Sequence, residues 1–240
     1  SGAKGADFAI VIAKTDPDAS VAQARNSAFI VPLDSPGFEI VRDVETMGGK
    51  HNHPEVRYND VRVPKENLLG ERGGGHKLGQ VRLGPARLAH CMRWLGQIEM
   101  ALEMLIDRAQ KRFAHGSLLS EKQSIQWMMS DSAMELYSSK LMVLHAAYKI
   151  ENGMEFKQEV SMAKHHVANT LWRVVDRAMQ VHGALGYSTD TPLAGMMQQA
   201  RWARLADGAD EVHQMRIAEL LMKAYNSDGS INQGVGGLPL

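Results

Sequence analysis

Two hydrophobic periodicities divide the chain near residue 75. Before it, apolar residues come in short runs or alternate with period two: Asp7-Phe8-Ala9-Ile10-Val11-Ile12-Ala13, Ala28-Phe29-Ile30-Val31, Phe38-Glu39-Ile40-Val41, and residues 55–64, where interrupted alternation predicts a bulged strand. The turn signals Thr15-Asp16-Pro17-Asp18 and Asp34-Ser35-Pro36-Gly37 separate them, as in a small antiparallel β unit. Several strand edges find no partner within it. The glycine-rich stretch 70–75 reads as a hinge. Beyond it the apolar positions step by 3, 4 or 7: Leu88, Met92, Leu95, Leu102, Ile106, Ala109 and Phe113; then Ile125, Met129, Leu136, Val143, Ala147 and Ile150; then Val160, Ala163, Val167, Leu171, Val174, Ala178 and Val181. These are core-facing stripes of three helices of roughly 30 residues, each about 45 Å long. Asn152-Gly153 and residues 183–186 are stops, Ser120 with Gln123 predicts a capping box, and a last helix is expected from about 210 to 224. The fold class that follows is α+β: a partial antiparallel β domain over 1–72, an antiparallel four-helix bundle over 73–226, and a loose tail over 227–240.

Composition narrows the possibilities. The chain has 240 residues, with 27 Lys+Arg against 27 Asp+Glu. Zero net charge argues against a nucleic-acid partner or a polybasic membrane surface. No stretch reaches the roughly 18 apolar residues of a membrane-spanning helix. The single cysteine, Cys91, excludes an intrachain disulfide and suits a reducing compartment, so a soluble, intracellular protein is expected, cytoplasmic if bacterial. Cys91 lies beside Met92 on a helix stripe and reads as core. None of the ten histidines pairs at i, i+4, His165 and His166 point apart on a helix, and no metal site is expected. The chain opens Ser1-Gly2-Ala3-Lys4 without an initiator Met, which raises processing or fragmentation.

Three motifs carry a family resemblance: Val61-Arg62-Val63-Pro64-Lys65-Glu66-Asn67-Leu68-Leu69-Gly70, Gly79-Gln80-Val81-Arg82-Leu83-Gly84-Pro85-Ala86-Arg87, and Gln180-Val181-His182-Gly183-Ala184-Leu185-Gly186-Tyr187. In this order and spacing they resemble the C-terminal part of an acyl-CoA dehydrogenase. Arg82 to Arg87 with His90-Cys91-Met92-Arg93, and Leu205-Ala206-Asp207-Gly208-Ala209-Asp210-Glu211-Val212-His213, resemble most the branch of family members ten and eleven. The resemblance implies that Ser1-Gly2-Ala3 follows a flavin-contacting segment, so that this chain is half a β domain plus the whole bundle.

The resemblance also implies a chemistry. The family takes a proton from Cα of an acyl-CoA thioester and a hydride from Cβ, and FAD carries the redox chemistry. The family base is a Glu followed by Gly before the last helix; the matching residues are Asp207 and Gly208, the acid being one methylene shorter, as in the branch of members ten and eleven. Arg112 matches the Arg that reaches the FAD of a neighbouring subunit. His115 stands where many members have Phe, and Gln123 matches a Gln that contacts FAD. Gln180, Gly183 and Ala184 match a Gln-x-x-Gly-Gly loop on the neighbour's adenosine portion, Ala replacing the second Gly. Ala209 and Glu211 stand where the family has a Thr and a Gln near FAD. Arg87 matches an Arg near the CoA adenosine, and the Asp three residues before it in many members is Gly84 here. A homodimer or homotetramer, and an electron-transfer flavoprotein as acceptor, are further implications.

Taken without the resemblance, Asp207 is an acid near the positive end of a helix, Arg112 and Arg87 are helix-surface charges, and Asp210 is an N-cap or first-turn acid. Competing readings are an acyl-CoA oxidase or flavin monooxygenase on the same fold, and a bundle that only oligomerises.

Overall fold

The computed structural model describes residues 1–229. They divide into two compact units, residues 1–83 and the part from residue 84 onward. In the first unit, β1 (Phe8–Lys14) pairs antiparallel with β2 (Asn26–Pro32), from Phe8 opposite Pro32 to Lys14 opposite Asn26. Strand β3 (Phe38–Thr46) pairs with β4 (Gly49–Tyr58), and the short β5 (Leu68–Leu69) closes the other side of β2. As the edge strand, β1 leaves Phe8, Ile10 and Ile12 more than half exposed.

The strand expected over 55–64 is displaced. Strand β4 ends at Tyr58, because Asp60 takes a left-handed φ of 47° and turns the chain away. The β3–β4 ladder is irregular in two places: an extra residue in β3 between Ile40 and Arg42, and a wider break where Asp43 and Glu45 stand opposite Pro54 and Lys50. A cleft in this unit is lined by Thr15, Asp16, Arg72 and His76; no residue singled out from the sequence for a site lies in it.

Helix α1 (Gly75–Lys111) runs through Pro85 without ending. A two-residue turn at His115 and Gly116, both at positive φ, joins β6 (Phe113–Ala114) to β7 (Ser117–Leu118) as a type I′ hairpin would. Then come α2 (Gln123–Glu151), α3 (Lys157–His182), the single turn α4 (Ala184–Tyr187), α5 (Leu193–Ala203) and α6 (Asp210–Asp228). Antiparallel order is recorded by cross-helix ion pairs: Lys140 with Glu99 joins α2 to α1, while Lys149 with Glu159 and Arg177 with Glu135 join α2 to α3. Helix α3 is the axis, packed against α2, α5 and α6, and its predicted stripe from Val160 to Val181 is buried throughout. Around it lie Cys91, Ile98, Ala101 and Leu105 of α1, Val143 and Ala146 of α2, and Leu193 and Ala200 of α5.

Several local expectations fail here. Met92 is 60% exposed, because the α1 seam runs instead through Cys91, Trp94, Ile98 and Leu105, and Phe113 is 62% exposed in β6, since α1 ends at Lys111. No capping box forms: Lys122 precedes α2 without a side-chain cap, and the Ser120 carbonyl accepts from Gln126 Nε2 at 2.9 Å. Helix α6 continues to Asp228, where Gly229 in the left-handed region closes it; of the expected tail, residues 230–240 lie outside the described residues. Helix α2 carries a second apolar row, Trp127, Met134, Tyr137, Leu141, Leu144 and Tyr148, each at least half exposed.

Leu171 is fully buried at the centre of α3. Leu171→Ala is expected to lower the unfolding free energy by about 2–5 kcal/mol, read from the shift in denaturant midpoint at unchanged slope.

Candidate active site

The site is built on the turn between α5 and α6. Arg204 to Ala209 must reverse the chain within six residues, and two positions do so: Asp207 at φ 52° and Gly208 at φ 116°. Asp tolerates the left-handed region better than most residues, and Gly208 meets a second constraint. A Cβ at Gly208 would lie 2.8 Å from Nε2 of His213, which packs beneath it.

Both carbonyls of this turn accept from cations on other helices. Arg87 Nε of α1 donates to the Asp207 carbonyl at 2.9 Å, and Lys164 Nζ of α3 donates to the Gly208 carbonyl at 2.6 Å. Lys164 is wholly buried. Burial lowers its ammonium from the usual lysine range, and the nearby Asp210 carboxylate opposes that shift. Asp210 is the first-turn acid and not the N-cap: Ala209 precedes α6, and the Asp210 carboxylate faces inward. It accepts from Arg204 Nε at 2.7 Å and Asn169 Nδ2 at 3.0 Å, with Lys164 Nζ at 3.8 Å. Burial would raise its pKa, but these donors and cations outweigh it and hold the carboxyl below the ordinary range.

The Asp207 side chain is 17% exposed, and its Oδ2, like Oδ1 of Asp210, is buried with no hydrogen-bond partner; unlike Asp210, its carboxylate accepts from no side chain among the described residues. His90 Nε2 lies 3.3 Å from Asp207 Oδ2. The His90 ring sits with Trp94 and Trp202, its centroid 5.4 Å from each. Such a carboxylate has an oxygen that can accept a proton without first breaking a hydrogen bond. Cys91, buried one residue on, has its thiol pushed up to about 12 by burial and is no nucleophile.

The other residues singled out from the sequence separate into two groups. Ala209 and Glu211 flank the turn: Ala209 offers no hydroxyl, and Glu211 puts an exposed carboxylate in the first turn of α6. Arg112, His115 and Gln123 lie at the far end of the bundle, where α1 ends, the hairpin turns and α2 begins. Gln180, Gly183 and Ala184 lie at that same end, since Arg177 meets Ser132 and the helices run antiparallel. All six are exposed. From His90 to Arg112 the helix rises about 33 Å. Sequence reasoning passed over Lys164, His90, Arg204, Asn169 and His213. Lys164 had a legible signal: a lysine at a core position, between Val160 and Ala168 on a stripe that is otherwise apolar.

His213 yields a pH dependence. Burial first, then the charges of Lys164 and Arg87, push it down to about 4 from an ordinary 6.5. The unfolded chain therefore binds more protons than the folded one between those values. Stability present above pH 6.5 is lost as pH falls toward 4, by at most about 1.4 kcal/mol per pH unit for this group. Burial also lowers His166, which acts in the same direction. His213→Gln is expected to flatten, not abolish, the fall in denaturation midpoint across this range.

Residues 73–222 match the family model for the acyl-CoA dehydrogenase C-terminal domain. The chain is 42% identical over 213 residues to a Mycobacterium tuberculosis protein named probable acyl-CoA dehydrogenase FadE2, covering 87% of this chain and 52% of that protein. It is 40% identical over 219 residues to acyl-CoA dehydrogenase family member 10 of Mus musculus, covering 89% of this chain and 20% of the relative. It thus spans about half of one relative and a fifth of the other. Butyryl-CoA dehydrogenase of Megasphaera elsdenii has the same fold at a TM-score of 0.82 and 31% identity, over 92% of this chain and 57% of that one. The chain belongs to the acyl-CoA dehydrogenase family and comprises that family's C-terminal helical domain together with a small antiparallel β unit.

Proposed function

We propose that this chain is part of an FAD-dependent acyl-CoA dehydrogenase and that Asp207 is the base that takes the proton from Cα of an acyl-CoA thioester. The observation that carries this reading is the Asp207 oxygen, buried without a hydrogen bond on a turn clamped at both carbonyls. Arg87 and Lys164 fix the backbone, so the carboxylate is presented with little freedom to rearrange. Gly208 allows the turn that presents the base, since its φ of 116° and the His213 ring beneath it leave no place for a side chain. Arg87, in holding the Asp207 carbonyl, ties any contact it makes with CoA to the position of the base.

The donor set at the opposite end of the bundle suits an anionic cofactor. Arg112 supplies a guanidinium, and Gln123 and Gln180 supply carboxamides; Gly183, at φ 65°, has open space where a side chain would stand. These residues would hold the pyrophosphate and adenosine portion of FAD, with His115 and Ala184 at their margins. Ala209 and Glu211 do not suit that task, because one lacks a donor and the other is an anion. The chemistry that bound FAD supplies is acceptance of the hydride equivalent from Cβ. Electrons then pass to an electron-transfer flavoprotein.

The two ends are too far apart along α1 for both to serve one chain's flavin. This supports a dimer or tetramer in which Arg112 and Gln180 reach the flavin of another copy. The exposed apolar row on α2 supplies a face for such assembly.

Asp207→Asn is expected to leave flavin content and acyl-CoA affinity near normal while flavin reduction, followed by rapid mixing, falls about 10²- to 10⁴-fold. Near-normal reduction would remove Asp207 from the role of base. Rapid reoxidation of the reduced flavin by oxygen alone would make the protein an oxidase instead. The assembly is tested separately: Tyr137→Glu combined with Leu144→Glu is expected to reduce the sedimenting mass to that of a smaller species, and an unchanged mass would move the interface elsewhere.

A further inference from the structure

Helix α2 carries a surface that its own bundle does not use. It buries Ser132, Ser139, Val143 and Ala146 on one side. On the opposite side Trp127, Met134, Tyr137, Leu141, Leu144 and Tyr148 are 51–66% exposed. At about 200 Å² for a whole large side chain, they present roughly 700 Å² of apolar surface. The largest apolar patch of a typical monomer is about 300–600 Å², and a stable interface takes about 800 Å² from each partner. The six are spaced 7, 3, 4, 3 and 4 residues apart, the a and d spacing of a helix that packs along its length against a second helix. Two charged side chains of α2 that border this row are already engaged: Glu135 by Arg173 and Arg177 of α3, and Lys140 by Glu99 of α1.

We propose that this row docks antiparallel on the same row of a second copy, about a two-fold axis at the level of residue 139. The proposal rests on the assembly proposed for this chain and adds its occupant and direction; it needs neither FAD nor the role of Asp207. The axis places Met134 against Leu144 of the second copy and Tyr137 against Leu141, each pair occurring twice. Tyr148 meets the small Ser130, and Trp127 closes the row beside Glu151 at the helix end. Large side chains thus face smaller ones, as close packing requires. On the flank toward α3, where Ser138 meets His166, the exposed Asp131 comes opposite His145 of the second copy. An imidazole donates a hydrogen bond to a carboxylate whether it is neutral or charged. On the other flank the two Lys140 residues approach the axis with their charges met by Glu99. A parallel arrangement would stack Tyr137 on Tyr137 and Tyr148 on Tyr148, and would set His145 beside Lys140. The antiparallel one also opposes the two helix dipoles.

Cross-linking reads the direction. Tyr137→Cys and Leu141→Cys, carried on separate copies of the full-length protein and co-expressed, are expected to give a disulfide-linked dimer under mild oxidation, while neither variant links by itself. Cys91 is buried and does not compete. Linkage within each single variant would show parallel packing and overturn the proposal. If the protein sediments above the mass of one chain yet links in none of these cases, α2 has another occupant: the proposal fails and the assembly stands. Sedimentation as one chain would remove both. The flank gives an independent test. Asp131→Lys is expected to weaken self-association about tenfold, since the contact occurs twice, and adding His145→Glu is expected to restore it to within a few fold. Residues 131 and 145 are about four turns apart on one helix, so restoration comes only from contact between copies. A double variant that associates no better than Asp131→Lys alone would sink the register.

Discussion

The site depends on one buried ammonium. Lys164 enters α3 at a position that the helix otherwise reserves for Val and Ala, and it is sealed from solvent by the elements packed around that helix. An isolated charge there would be untenable. It is retained because two acceptors converge on it from another segment: the Gly208 carbonyl and the Asp210 carboxylate. Asp210 in turn binds Arg204 and Asn169, so the start of α6, the loop after α5 and the middle of α3 are joined by charges with few alternative partners. Removing Asp210 leaves the Lys164 ammonium buried without its carboxylate, and breaking a buried pair in this way typically costs about 3–5 kcal/mol. This cost fixes the turn in one geometry, and the turn carries Asp207.

That arrangement explains which features the sequence disclosed. The long helices were legible because α3 is buried all along one stripe and α1 and α2 follow similar repeats. Helix α5 was missed: eleven residues with Leu193, Met196 and Ala200 on one face give a weak period, and a glycine and two glutamines interrupt it. The second face of α2 was hidden for the opposite reason. A helix apolar on two sides looks like one well-buried helix, and only the structure separates the row facing α3 from the row facing out.

Asp210 illustrates a different limit. From sequence it stands where a capping acid belongs, and a local rule accounts for it fully. Besides Arg204, six residues earlier, its partners Asn169 and Lys164 are 41 and 46 residues earlier in the chain, beyond the reach of any local rule. Asp207 shows the converse. Nothing local marks it as more than a polar residue before a helix; family resemblance directs attention to it, and its left-handed backbone and unpartnered oxygen give the attention a physical basis.

The Asp207-Gly208 peptide bond also bears on how the protein ages. An aspartyl residue followed by glycine is chemically fragile, because the unhindered glycine nitrogen can attack the side-chain carboxyl carbon, close a succinimide and reopen it as isoaspartate. The attack requires the backbone to rotate until that nitrogen faces the side chain. Here Arg87 and Lys164 hold the carbonyls on both sides of the Gly208 nitrogen, and His213 fills the space beneath. The contacts that present the carboxylate also restrain it from consuming itself. Loosening of the α5–α6 turn would therefore do more than blur the site's geometry: it would start a slow, covalent and irreversible loss of the aspartate, at a rate set by how often the clamp opens.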